Sequence, residues 1–184
     1  MLNEEDIING CINGNRKYQR ILYDQYARKM MAVCLRYAKS TLEAEDILQE
    51  SFIKVFSKIE SFRKESKLET WIKRIVINTA LNNQRSKLYL YPMVDVDTMH
   101  NLQDDRELPI SSYHVSELTK MIQALPVGCQ VIFNLYAIEG YQHNEIAEAL
   151  NIKEGTSKSQ YARARQLLKE MLVNAEKDSY ERFR

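Results

Sequence analysis

The sequence predicts an all-α protein made of two helical domains, a three- or four-helix bundle and a C-terminal helix-turn-helix bundle, joined by an acidic flexible linker. Three observations lead there. Five Gly and three Pro in 184 residues leave too little turn punctuation for a many-stranded chain. Apolar residues recur at three- and four-residue steps on both sides of a central stretch, the spacing of a single helix face. In that stretch, residues 88–116, the periodicity fades, Pro92 and Pro109 interrupt, and acid accumulates. With 45% hydrophobic residues there is enough apolar mass for two cores.

The N-terminal domain is expected over residues 1–87. Its first legible helix runs from about Tyr18 to Ala38, with Leu22, Tyr26, Met30, Val33 and Tyr37 facing inward. A capping box, Ser40-x-x-Glu43, opens the next, which continues to about Ile59. On it Leu48, Phe52, Val55 and Ile59 form a buried stripe, and Asp46, Gln49 and Glu50 stay outside. After a polar loop from Ser61 to Lys67, a second box, Ser66-x-x-Glu69, opens a third helix with Trp71, Ile72, Ile75 and Val76. Trp71, framed by Ile72 and Ile75, is assigned to the core. Phe62 sits between polar neighbours and is left open between core and exposed roles.

The C-terminal domain is expected over residues 117–173, followed by a tail, 174–184. Its first helix breaks at Pro126; the chain then continues through Gln130 to Ile138 and turns at Gly140 into a helix-turn-helix from His143 to Leu172. The segment HNEIAEAL ends at Asn151, a residue type that tolerates the left-handed backbone of a tight turn, and Ile152 plugs the space between helices. The second helix starts near Gly155 and Thr156. Tyr161, Ala164, Leu167, Leu168 and Met171 form its buried stripe. Lys158, Ser159, Ala162 and Arg163 share a different face and reach one DNA groove together, with Thr156 and Arg165 where phosphate contacts fall. Such a hairpin also occurs in ordinary bundles, so the motif alone does not decide function.

Charge adds a second line. The net charge is only +1, but residues 63–87 carry +5 and residues 153–169 carry +4. Acid balances them: Asp95 to Glu107 carries −4, and Thr41 to Glu50 holds four carboxylates and no cation. Segregation on this scale implies separate surfaces for different partners. Cys11, Cys34 and Cys129 lack ligand spacing and are expected as buried reduced thiols, with no disulfide, metal or cofactor. No phosphate loop or nucleophile motif is present, and His100, His114 and His143 are scattered among polar residues, where histidines are simply solvated, so no enzyme is expected. With no signal peptide and no apolar run near ~18 residues, the expected location is the cytoplasm, without membrane insertion.

Two separate stretches then carry a resemblance. AEDILQESFIKVFSKI (Ala44 to Ile59) with LETWIKRIVINTALNNQR (Leu68 to Arg85), and LPVGCQVIFNLYAIEGYQHNEIAEALNIKEGTSKSQYARAR (Leu125 to Arg165), resemble regions 2 and 4 of bacterial extracytoplasmic-function (ECF) sigma factors of the sigma-70 family. The resemblance implies a protein without catalysis of its own. It implies binding to core RNA polymerase, at its clamp coiled coil and flap, recruitment to a subset of promoters and help in melting them. It also implies an anti-sigma factor as partner and no small-molecule substrate. By the same resemblance Asp46, Gln49 and Glu50 meet the clamp. Phe62, Arg63, Lys64, Lys67, Lys73, Arg74, Asn78, Asn82 and Arg85 handle the −10 element, where unpaired DNA calls for backbone cations and a stacking surface or pocket for a base. Thr156, Lys158, Ser159, Ala162, Arg163 and Arg165 read the −35 element.

A flexible tether between two weak readers raises avidity by about 10² to 10⁴ when it spans the gap. The 29 residues from 88 to 116 reach at most about 100 Å at ~3.3 to 3.6 Å each. Their acid either mimics nucleic acid in polymerase channels, as the family implies, or is a plain solvated tether. Some positions depart from the family pattern. Gln142 replaces a Ser-type cap, Ser157 and Gln160 replace Val and Arg, and Asn82 and Asn83 replace Asp and an aromatic. A weaker helix start, a lost phosphate contact, poorer packing and an altered −10 preference are the expected consequences. The competing reading is a free-standing helix-turn-helix repressor or activator with an N-terminal dimerisation or ligand module, which requires palindromic half-sites.

Overall fold

The computed structural model describes the backbone of residues 3–90 and 114–182 and the side chains of residues 3–84 and 114–175. The acidic stretch Asp95 to Glu107, Pro92, Pro109, His100 and the side chain of Arg85 lie outside the described residues. The described elements are all helical: α1 (Glu4–Ile12), α2 (Arg16–Tyr37), α3 (Thr41–Lys58) with a 3-10 turn (Ile59–Ser61), and α4 (Leu68–Leu90). After them come α5 (Val115–Ala124), α6 (Val127–Phe133) with a π-helical turn (Asn134–Ile138), α7 (His143–Leu150) and α8 (Glu154–Arg182). The chain divides into two compact units, Met1–Arg85 and Ser86–Arg184.

In the first unit α1 precedes the first helix expected from periodicity. Its start is nonetheless written locally: the Asn3 side chain accepts from Asp6 N at 2.7 Å, and the Asp6 carboxylate accepts from Asn3 N at 3.3 Å. Glu4, Glu5 and Asp6 place negative charge on the positive end of the helix dipole. Ile7, Ile8 and Cys11 are buried. At Gly10 an added Cβ would overlap the Tyr18 ring, so α1 and α2 approach at a distance that only a glycine hydrogen permits.

The inward residues of α2 and α3 are those the periodicity assigns: Leu22, Tyr26, Met30, Val33 and Tyr37, then Leu48, Phe52, Val55 and Ile59, are all buried. The caps differ in detail. Ser40 Oγ accepts from Glu43 N at 3.1 Å, but the Glu43 carboxylate also accepts from Lys39 N at 2.8 Å and from Gln84 Nε2 at 3.3 Å. At the start of α4 the expected box gives way to a long-range contact. Ser66 Oγ donates to the Lys67 carbonyl, and Glu69 accepts from Lys29 Nζ of α2 at 2.7 Å. The inner side of α4 comprises Leu68, Ile72, Val76, Ile77, Ala80 and Leu81, with Gln84 donating to the Tyr37 carbonyl at 2.7 Å.

In the second unit Ile122, Leu125, Cys129, Phe133, Ala164 and Leu168 form the core, and Met121, Tyr161, Leu167 and Met171 pack half-buried against it. The end of α6 widens: Glu139 N donates to the Asn134 carbonyl and Tyr141 N to the Leu135 carbonyl, both at 2.9 Å, before Gly140 turns the chain at φ +80°. At the end of α7, Asn151 adopts φ 54° and ψ 51°. Ile152 N donates to the Ala147 carbonyl at 3.0 Å and Asn151 N to the Glu148 carbonyl at 3.3 Å, the paired bonds of a Schellman turn. The α8 backbone continues through the expected tail to Arg182.

Gly10→Ala tests the α1–α2 crossing. Alanine favours a helix by about 1 kcal/mol over glycine, whereas overpacking against a ring costs about 1–3 kcal/mol. The expected result is a lower urea midpoint for the first unit, followed by fluorescence of Trp71, the only Trp; a raised midpoint would show that α1 shifts freely.

Candidate nucleic-acid interface

The outward side of α8 is what remains once its inner side is seated. Lys158 and Arg163 are exposed, and Ser159 and Ala162 lie half-buried between them, so the four expected residues share one accessible face. Lys158 Nζ pairs with Glu154 at 2.7 Å, and the ammonium holds the Glu154 carboxyl below the ordinary carboxylate range. Ser159 Oγ donates to the Thr156 carbonyl at 3.1 Å. Arg165 is half-buried. Thr156, expected at a phosphate contact, has its side chain buried in the first turn of α8.

The two departures on α8 also differ from expectation. Ser157 is fully buried, with Oγ 2.9 Å from His143 Nδ1. Gln160 is buried too, and its Oε1 accepts from Cys129 Sγ at 3.1 Å. Gln160 therefore stands inside the fold rather than on a phosphate-facing surface, and hydrogen bonds take the place of packing at both positions. Gln142 still starts α7 with support, since Glu145 Oε2 accepts from its backbone N at 2.7 Å.

His143 is likewise not a solvated histidine. Its ring stacks on Tyr136 at 4.2 Å and meets Tyr161 edge-on at 5.9 Å. Burial first, and then the Lys158 charge, push its pKa below the ordinary 6.5, with Glu154 opposing.

In the first unit a basic line follows α4. Arg63, Lys64 and Lys67 are exposed in the loop, and Arg74, Asn78 and Asn82 follow on exposed positions at four-residue steps. Lys73 lies on the adjacent, half-buried side. Phe62 and Trp71 pair at 5.5 Å near the start of this line. Both rings are half-buried, so Trp71 is not the enclosed core residue expected, and the pair forms a partly open aromatic surface beside cations. Lys64 has φ +60°, and its Nζ pairs with Glu5 of α1 at 2.8 Å. The sequence reading missed this link because it missed α1, although Asn3-x-x-Asp6 was a usable signal.

On α3, Asp46 and Gln49 are exposed and Glu50 is half-buried. Lys54 Nζ donates to Glu50 at 2.6 Å and holds that carboxyl below its ordinary range. Leu42 and Ile53, each 69% exposed, lie on the same side by helical spacing, a feature not singled out in the sequence. A shallow groove beside them is lined by Tyr23, Met31, Leu48 and Gln49, among others.

All three thiols are buried, and burial pushes Cys34 up to about 12. Among the described residues no cluster of His, Cys, Asp and Glu is arranged to hold a metal ion. Nor is any described helix long and apolar enough to cross a membrane.

Residues 22–88 match the family model for sigma-70 region 2, and residues 116–168 match that for sigma-70 region 4. The ECF RNA polymerase sigma-E factor of Haemophilus influenzae is 31% identical over 179 residues, covering 91% of this chain and 94% of that protein. The chain belongs to the ECF sigma factors of the sigma-70 family. The sigma-E factor of Escherichia coli K12 is 26% identical over 178 residues, covering 91% of this sigma factor and 93% of its relative. The sigma factor RpoE of Bartonella quintana, solved with the anti-sigma factor NepR, shares the fold at 20% identity and a TM-score of 0.52, covering 84% of this chain and 96% of that one. As a sigma factor this protein directs RNA polymerase to promoters.

The His143 environment has a consequence for stability. A histidine whose folded pKa is depressed favours the fold while neutral, so its contribution is present above the unfolded value near 6.5 and is lost as pH falls through the folded value. The thermal midpoint of the second unit should drop between about pH 7.5 and about pH 5.5. His143→Phe should drop less over the same window, read by circular dichroism; equal drops would locate the titration elsewhere.

Proposed function

We propose that the two units of this sigma factor divide the work of promoter recognition. Residues 1–87 hold core polymerase and the −10 element, residues 88–116 tether, residues 117–173 read the −35 element, and residues 174–184 form a tail. The single observation that carries this reading is the outward face of α8, where Lys158 and Arg163 stand exposed on a helix-turn-helix closed by a left-handed Asn151. Lys158 and Arg163 meet base edges and Arg165 the backbone; Ser159 and Ala162 allow close approach to the groove.

In the first unit Arg63, Lys64, Lys67, Arg74 and Arg85 attract the phosphates of the melted strand. The Phe62–Trp71 pair, with Asn78 and Asn82 beyond it, supplies a stacking and hydrogen-bonding surface for unpaired bases, with Lys73 alongside. The acidic side of α3, with Asp46, Gln49 and Glu50, faces the basic clamp coiled coil of polymerase, and exposed Leu42 and Ile53 add apolar area there. Acid toward polymerase and base toward DNA lets one nearly neutral chain serve both.

The protein acts in the cytoplasm, has no catalytic step of its own and uses neither cofactor nor small-molecule substrate. An anti-sigma factor restrains it, a reading supported by the complex in which the Bartonella quintana sigma factor was solved. The match to region 2 over residues 22–88 weighs against a free-standing regulator, which has no use for a polymerase-binding surface.

Arg163→Ala is expected to weaken promoter occupancy by roughly 5- to 150-fold, the equivalent of losing one base contact worth about 1–3 kcal/mol, while core polymerase is still pulled down. Asp46→Arg combined with Glu50→Arg should do the reverse, losing polymerase and leaving promoter duplex contacts of the second unit intact. Equal loss of both activities in either variant overturns the division of roles.

A further inference from the structure

Ser157 and His143 link the two helices of the helix-turn-helix by a side-chain hydrogen bond of 2.9 Å. Ser157 has no exposed surface, and its immediate neighbour in sequence is Lys158. His143 is the first residue of α7, and its ring is held from two further directions. Tyr136 of the π-helical turn stacks on it with rings 13° from parallel, and Tyr161 of α8 closes the edge. Tyr136 and Tyr161 themselves meet at 4.6 Å. One imidazole therefore ties the π-turn, α7 and the first two turns of α8 together.

We propose that the His143–Ser157 hydrogen bond, carried on the Tyr136 stack, is a positioning pair that sets the rotation at which α8 presents Lys158 and Arg163 to DNA. The inference rests on the reading of α8 as the −35 reader. An apolar side chain at residue 157, the usual choice in the family, fills space but has no preferred direction. A hydrogen bond prefers an angle above about 150° and weakens steeply below about 120°, so it penalises a sizeable rotation of α8 about its own axis where packing alone tolerates it. Rotation here is not neutral, because Ser157 and Lys158 are separated by only ~100° on the helix, and turning one inward carries the other along the groove. The Gln160–Cys129 bond at 3.1 Å braces the next turn against α6 in the same way. Burial supports the arrangement by keeping the His143 ring neutral, so that Nδ1 exchanges a hydrogen bond with the hydroxyl without bringing a second cation beside Lys158.

The test uses bacterial core RNA polymerase loaded with the 184-residue chain to select duplexes from a pool randomised through the upstream promoter element. Preference for the selected duplex over a scrambled one is then measured for each variant, well below its melting midpoint by circular dichroism. Ser157→Ala removes the hydroxyl, His143→Phe keeps the ring stack and removes the nitrogen, and His143→Asn restores a polar group where Nδ1 stands. The expected result is that Ser157→Ala and His143→Phe each reduce the preference by about 2- to 12-fold, the range of a single neutral hydrogen bond. The double variant Ser157→Ala with His143→Phe should be no worse than either alone, His143→Asn should recover most of the loss, and polymerase binding should be unchanged. Lower melting with an unchanged preference overturns the proposal in favour of a purely structural bond. A His143→Phe variant that keeps the parent's preference while His143→Asn loses it overturns the proposal and assigns the effect to the aromatic stack instead. If Arg163→Ala selects duplexes as the parent does, α8 is not the reader and both inferences fall; if only Arg163→Ala loses preference, the positioning pair alone is wrong.

Discussion

Burial of one side of α8 against Ile122, Leu125, Cys129 and Phe133 fixes which of its side chains face outward, and the external chemistry of the second unit follows from that seat. Ala164, Leu168 and Leu172 are the buried apolar members on α8. Each large apolar side chain taken out of water contributes about 1.5–3 kcal/mol. The exposed Glu154–Lys158 pair, screened by water and salt, contributes far less. Apolar burial therefore decides the orientation of the helix, and the charged residues inherit their positions from it. On a long helix that is polar over most of its circumference, this apolar seat decides which face turns inward, and buried polar bonds can only refine it.

The same hierarchy governs the first unit. Ala44, Ile47, Leu48, Phe52 and Val55 turn inward on α3, which leaves Asp46 and Gln49 outside. Ile72, Val76 and Ala80 do so on α4, which leaves Arg74, Asn78 and Asn82 outside. The ion pairs that decorate these surfaces, Lys29–Glu69 and Glu5–Lys64, are open to solvent. Pairs of that kind exchange readily for a partner's charges, since water and salt already screen them. A surface that must bind polymerase or DNA benefits from cations whose resting partners are weakly held.

Inside both units a few polar groups add direction to what apolar packing leaves loose. Gln84 donates to the Tyr37 carbonyl and to Glu43, joining α4 to the α2–α3 corner. Ser157 and Gln160 do the same between α8 and its neighbours. Buried polar atoms are costly unless paired, so each such bond narrows the set of acceptable helix positions. The family-level pattern of the chain specifies a helix-turn-helix; these bonds specify how this one is held.

The sequence by itself determined the helices with a clear three- and four-residue period, the inward residues of α2, α3 and α8, and the left-handed turn at Asn151. It also determined the separation of acidic and basic stretches and the two family regions. Those signals are local: a helix face, a cap and a turn residue are each decided within about four residues of chain. Tertiary structure alone decided the rest. It drew Glu69 away from Ser66 to Lys29, 40 residues distant. It buried Thr156 and Gln160, positions the sequence associated with phosphate contacts, left Trp71 half-open against Phe62, and turned His143 from a solvated side chain into the centre of an aromatic cluster. α1 escaped notice because a nine-residue helix with Gly10 in it has little intrinsic stability and forms by packing on α2. The deciding partners lie beyond the single helical turn that sequence patterns report on, from Tyr136 beside His143 to Lys29, 40 residues from Glu69, and only the folded arrangement of apolar surfaces brings them together.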